Sequence, residues 1–172
     1  GHWQYDSGAT CPDGLREVDV TLPIARKVAE RLKSHGYEAE VLPEYSERLY
    51  GYRGLAVISL HADSCVDLTG FKVAGRGWTP SAAASARLAE SLSRRYGAAT
   101  GLAFHANTVT PAMTGYHAFH KLAPDTPAAI VELGFLGADR QLLTAAQERV
   151  VQGIVEGLIE FVGETGRPTR TP

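Results

Sequence analysis

The sequence predicts a single α/β domain, a mostly parallel, twisted sheet flanked by helices. Three observations carry this. Leu55–Leu60 and Ala128–Leu133 are continuous apolar runs, the pattern of strands covered on both faces. Stretches with apolar residues at helical spacing alternate with them. The chain has 172 residues and is 44% hydrophobic, a size and composition suited to one core.

The elements follow in order. Residues 1–16 are rich in Gly, Asp, Ser and Pro and read as loop. Val18, Leu22, Ala25, Val28, Ala29 and Leu32 recur at helical spacing. Asp19 or Thr21 can cap that helix, Pro23 suits a first turn, and Gly36 suits its end. Residues 38–42 read as a short strand and 43–54 as polar turn. The run at 55–60 ends in His61-Ala62-Asp63. Residues 70–75 predict another strand, 80–97 an Ala-rich helix closed by Gly97, and 115–119 a short strand. After the run at 128–133, residues 139–162 hold one or two helices. The domain therefore spans 1–163, and 164–172 form a flexible Gly/Pro/Thr/Arg tail.

Composition excludes several function classes. Lys+Arg is 17 and Asp+Glu is 19, so no basic excess points to nucleic acid. The apolar runs are far shorter than the ~18–20 residues a bilayer span needs. Two cysteines, Cys11 and Cys65, are too few for a zinc ribbon. Arg48, Arg76 and Arg140 read as solvated surface, and His35 as a helix C-terminal dipole partner.

Three positions invite chemistry. His2 lies in a Gly-rich loop, His61 ends an apolar strand, and Glu132 sits inside one. In α/β sheets, ligands bind beyond the C-terminal ends of strands. A carboxylate in Ala-Ala-Ile-Val-Glu is costly to bury unless paired, protonated or near a metal. Glu17 opens an otherwise apolar helix, where it also reads as a simple dipole partner. Two His and a Glu are a common catalytic zinc set, and a second Glu beside the open position serves as general base and acid. Yet no His-Glu-x-x-His motif is present, and each residue alone has a structural reading.

Five blocks in order carry a family resemblance across residues 1–136. Gly1-His2-Trp3-Gln4-Tyr5-Asp6-Ser7-Gly8-Ala9 resembles the Gly-His-Gly-Gly-x-Asp-x-Gly-Ala signature of zinc-dependent N-acetylmuramoyl-L-alanine amidases, the Amidase_3 family. Gly14-Leu15-Arg16-Glu17-Val18-Asp19-Val20 resembles its next block. Ile58-Ser59-Leu60-His61-Ala62-Asp63, Gly70-Phe71-Lys72-Val73 and Val131-Glu132-Leu133-Gly134-Phe135-Leu136 resemble the remaining three.

The resemblance implies that His2, Glu17 and His61 bind Zn2+ and that Glu132 is the catalytic carboxylate. It implies hydrolysis of the amide between N-acetylmuramic acid and L-alanine in peptidoglycan, by a secreted, periplasmic or wall-associated protein, and nothing in the sequence demands more than a monomer. Asp6 and Asp63 are candidate partners of the imidazoles, with loop capping as the alternative. His117 is a candidate substrate-groove residue beside His105 and His120. If the loops bearing Cys11 and Cys65 meet at the site, the two form a disulfide; free thiols or a sulfur ligand are the alternatives. Trp3-Gln4 replaces Gly-Gly, no strand-like run precedes Gly1, and 43–55 is shorter than in typical members. The stretch between His61 and residue 80 is too short for the helix that blocks the metal in some members, so an open site is expected. Two rival readings stay in view, a zinc peptidase on another peptide and an inactive wall-binding module of the same fold.

Overall fold

The computed structural model describes residues 1–165. Three strands form one sheet in the order β1-β3-β2. They are β1 (Val57–Asp63), β2 (Lys72–Gly75) and β3 (Ala128–Phe135). β1 and β3 run parallel, whereas β2 is antiparallel to β3. The sheet is thus mixed rather than mostly parallel. The reason lies in the connections: β1 returns through the loop 64–71 into β2, with no helical crossover between them.

The helices are α1 (Glu17–Ser34), α2 (Ala82–Thr100), α3 (Pro111–Thr114), α4 (Arg140–Thr144) and α5 (Gln147–Thr165). α1, α2 and α5 cover one face of the sheet. Strand alternation sends Leu60, Ala62, Val73, Ala129, Val131 and Leu133 into that layer, against Ile24, Leu88, Leu92, Val151 and Ile154. A smaller core on the opposite face joins Ala74, Ala128 and Ile130 to Leu49, Met113, Phe119 and Leu122. His61, Lys72 and Glu132 lie on this second face.

Several expectations shift. α1 begins earlier than the apolar pattern suggested: Arg16 is its N-cap and Asp19 reaches back to the Arg16 backbone. Pro23 therefore lies inside the helix rather than in its first turn. Residues 38–42 form no ladder; they line a groove of about 280 Å³ between α1 and the outer edge of β1. On that edge the Gly1 nitrogen donates to the Leu60 carbonyl at 3.2 Å. Residues 115–119 are not a strand either: a 3-10 turn spans His117–Lys121 and buries Phe119. α5 includes Glu164 and Thr165, and residues 166–172 of the expected tail lie outside the described residues. Arg76 is buried, not solvated, and donates to the carbonyls of Leu122, Ala123 and Thr126. His35 is the C-cap of α1.

Cys11 and Cys65 are disulfide-bonded, with Cα atoms 5.5 Å apart. The bond ties the hairpin-like loop 10–16 to the turn after β1. It therefore joins the N-terminal loop to the C-terminal end of the sheet, where the candidate site lies.

Candidate metal centre

The register of the sheet builds one row of the site. His61 on β1 faces Glu132 on β3, and Glu132 faces Lys72 on β2. All three alternate onto the same face. The sequence places an ionisable residue at the equivalent step of each strand, and pairing aligns them.

Glu17 enters from the first turn of α1 and is buried. Its Oε1 accepts from the Ala62 N–H at 3.0 Å and lies 3.0 Å from His61 Nδ1. Its Oε2 accepts from the Ala9 N–H at 3.0 Å and lies 3.6 Å from His2 Nε2. Burial opposes ionisation of Glu17, but His61 and the two backbone N–H groups outweigh it and hold its pKa below the usual glutamate value. The loop 1–9 closes over this carboxylate. Gly8 has φ +66°, and a Cβ there would collide with the Glu17 carboxylate. His2 and Gln4 also hold positive φ, 31° and 81°, so this loop is locally strained.

His2, Glu17 and His61 each offer one ligand atom, all within 4.8 Å of one another. Donors in a tetrahedral zinc site stand about 3.3 Å apart, and here His61 Nδ1 lies 3.0 Å from one Glu17 oxygen and His2 Nε2 3.6 Å from the other. The outer nitrogens are occupied: His2 Nδ1 pairs with Asp6, and His61 Nε2 with Ser59 Oγ at 2.9 Å. Such contacts orient an imidazole and leave its other nitrogen for a metal. Burial pushes the His61 pKa down, against the pull of Glu17, which favours the neutral imidazole a metal requires.

Glu132 is half-buried, and its carboxyl makes no hydrogen bond among the described residues. Burial, then the charges of Glu17 and Asp63, push its pKa up to about 8. Asp63 is not on an imidazole; it pairs with Lys72 and accepts from the Ser64 N–H. Its burial is outweighed by these contacts, which hold its pKa low. His117 reaches the rim, where its Nε2 meets Glu44 Oε1 at 2.6 Å.

Glu44 escaped the sequence reading. It is buried at 3% side-chain exposure, and its Oε2 accepts from the His2 N–H at 2.6 Å. With His2 and Asp6 it forms a second group of close ligand atoms. Burial of Glu44 is outweighed by the His2 N–H and by the Tyr116 and His117 side chains, so its pKa stays low. Nothing in the polar stretch 43–54 marks this residue apart from its neighbours. Tyr116, whose ring meets His61 edge-on with centroids 5.2 Å apart, is equally unmarked in the sequence. The loop 64–71 carries no helix over the site.

The chain has relatives among known proteins. The model of the family N-acetylmuramoyl-L-alanine amidase (Amidase_3) matches residues 1–160. No curated protein sequence matches the chain. Among solved structures it is similar to the N-acetylmuramoyl-L-alanine amidase AmiC2 of Nostoc punctiforme, at 24% identity and TM-score 0.71, covering 95% of this chain and 93% of that one. An N-acetylmuramoyl-L-alanine amidase of Clostridium difficile 630 aligns at 18% identity and TM-score 0.74, covering 96% and 95%. Ami1 of Mycobacterium smegmatis aligns at 19% identity and TM-score 0.70, covering 94% and 83%.

Proposed function

The chain belongs to the N-acetylmuramoyl-L-alanine amidase family, and from that premise we propose that it is a zinc-dependent peptidoglycan hydrolase. It cleaves the amide between N-acetylmuramic acid and the L-alanine of the stem peptide. The observation that carries the reading is the convergence of His2, Glu17 and His61 beside Glu132 on one face of the sheet. His2, Glu17 and His61 would hold the metal, a donor set of three that suits a catalytic rather than a structural zinc. When bound, zinc supplies Lewis acidity, lowering the pKa of water towards about 7 and polarising the scissile carbonyl.

The residues of the chain do the rest. Asp6 and Ser59 keep the two imidazoles in the tautomers that ligation needs. Glu132 takes a proton from the attacking water and delivers it to the leaving L-alanine nitrogen. The exposed rim beside His117 leaves room for a polymeric substrate. No helix among the described residues is long and apolar enough to cross a membrane, and the disulfide is compatible with an oxidising compartment. In this reading the protein acts outside the cytoplasm, on the wall, as a monomer.

The test is a digest of purified muropeptides followed by mass spectrometry. Intact glycan and L-Ala-led peptides should appear, vanish with chelator and return with zinc. Products with a different new amine would instead identify a peptidase. Absence of any cleavage by zinc-loaded protein would identify a wall-binding module.

A further inference from the structure

Beside the metal centre lies a ledge of aromatic rings that the chemistry above does not use. Tyr45 and His117 are near-parallel, with centroids 5.5 Å apart and an interplanar angle of 19°. Tyr5 meets Tyr45 edge-on at 5.7 Å. The ledge is joined to the site, because Tyr116 packs against both His117 (4.5 Å) and His61 (5.2 Å). The rings are nonetheless open to solvent: Tyr5 is 73% exposed and Tyr45 46%. The side chain of His117 is 47% exposed.

The ledge is held in place from beneath. Buried Glu44 binds the His117 ring through Oε1 and the His2 backbone through Oε2, which ties the ledge to the metal loop. Lys121 Nζ sits over the Tyr45 ring at 5.3 Å and over the Tyr50 ring at 5.5 Å. A cation against an aromatic ring restrains it and sets a charged donor at its margin. Exposed rings fixed in this manner lose little entropy when a ligand covers them.

We propose that the Tyr45–His117 ledge is a sugar subsite, binding one N-acetylhexosamine ring of the glycan beside the scissile amide. A pyranose has a face of C–H groups and a rim of hydroxyls. The face suits an exposed aromatic ring, and the rim suits the donors around it. Two or three rings are far too small a patch for a stable protein partner, which needs about 800 Å² on each side. They match one or two sugar rings. The inference rests on the proposed amidase reading only for the identity of the glycan.

The test separates the two. Peptide-free oligomers of the wall disaccharide are titrated into zinc-loaded wild-type protein and into Tyr45→Ala, His117→Ala and Tyr45→Phe, by calorimetry. Tyr45→Ala and His117→Ala should each weaken binding about tenfold, while Tyr45→Phe, which keeps the ring, should bind within about twofold of wild type. On glycan-linked muropeptides, Tyr45→Ala should act mainly by raising KM. Equal binding by wild type and Tyr45→Ala overturns the proposal, as does failure of wild-type protein to bind the oligomer at millimolar concentration. Ring-dependent binding without any amide cleavage keeps the subsite and overturns the amidase reading instead. Unfolding curves of each variant exclude loss of fold as the cause, because the Tyr45 ring lies on the surface.

Discussion

At the scale of single residues, the site rests on two carboxyls whose proton affinities are pushed in opposite directions. Glu17 is buried and Glu132 half-buried, but only Glu17 is met by backbone N–H groups and an imidazole. Their pKa values move in opposite directions for that reason. Glu132→Gln should retain one zinc per chain and lose about 10²- to 10⁴-fold in turnover; wild-type turnover in that variant would refute the assignment. A second consequence concerns pH. The folded-state pKa of Glu132 is raised from 4.5 to about 8. The native state therefore binds more protons than the unfolded chain across that window, and chelated protein loses stability as pH rises through it. Glu132→Gln removes the titration, so it should gain on the order of a few kcal/mol over wild type at pH 8 and almost none at pH 4.5. Thermal melts in chelator at the two pH values check this, and a gap independent of pH would contradict it.

At the scale of elements, two joints position the site. The first is the disulfide, whose cysteines are 54 residues apart. By chain entropy, closing such a loop stabilises by up to roughly 4 kcal/mol. Cys11→Ser with Cys65→Ser should lower stability by about 2–4 kcal/mol in a denaturant titration. It should also weaken zinc retention, since the bond anchors the loop that follows His2. The second joint is the packing of α2 on α5. A Cβ on Gly157 would stand 2.9 Å from the Leu92 Cα, and one on Gly153 2.8 Å from the Tyr96 Cα. The helices approach too closely for alanine at either place. Gly157→Ala should cost about 1–3 kcal/mol by forcing them apart, despite the better helix propensity of alanine. A stabilised variant would show that the helices separate freely. α2 also holds β3, because the buried Tyr96 hydroxyl donates to the Leu133 carbonyl at 2.5 Å.

At the scale of the molecule, the site is a meeting of four chain segments: the loop 1–9, the start of α1, the end of β1 and the end of β3. Apart from the disulfide, only tertiary packing keeps them together, so metal binding and folding are coupled. Zinc at about a thousand times its dissociation constant should stabilise the protein by roughly 4 kcal/mol, seen as a rise in Tm. His2→Ala should remove most of that rise while leaving the chelated protein close to wild type, because His2 is only partly buried. A full zinc shift in His2→Ala would exclude His2 as a ligand.

The two long apolar runs could be assigned as strands because burial on both faces demands an unbroken apolar pattern. α1 and α5 were legible from their periodicity, since each has one face to bury, and α2 from its alanine content, although it runs on past the expected stop at Gly97 to Thr100. The family blocks brought out His2, Glu17, His61 and Glu132, residues whose types already pointed to zinc chemistry. The segment 38–42 looked like a strand, yet strand formation depends on finding a partner edge, which no local pattern encodes. The direction of β2 was equally hidden, for it follows from a loop that lacks a crossover helix. Glu44 and Arg76 are ordinary charged residues in polar stretches, and only the folded chain surrounds them with partners. The sequence by itself determined which residues could supply the chemistry and which segments had a face to bury, because residue type and periodicity are local. Tertiary structure decided which of those groups meet, at what distance and in what protonation state, because proximity and desolvation arise only when distant segments pack.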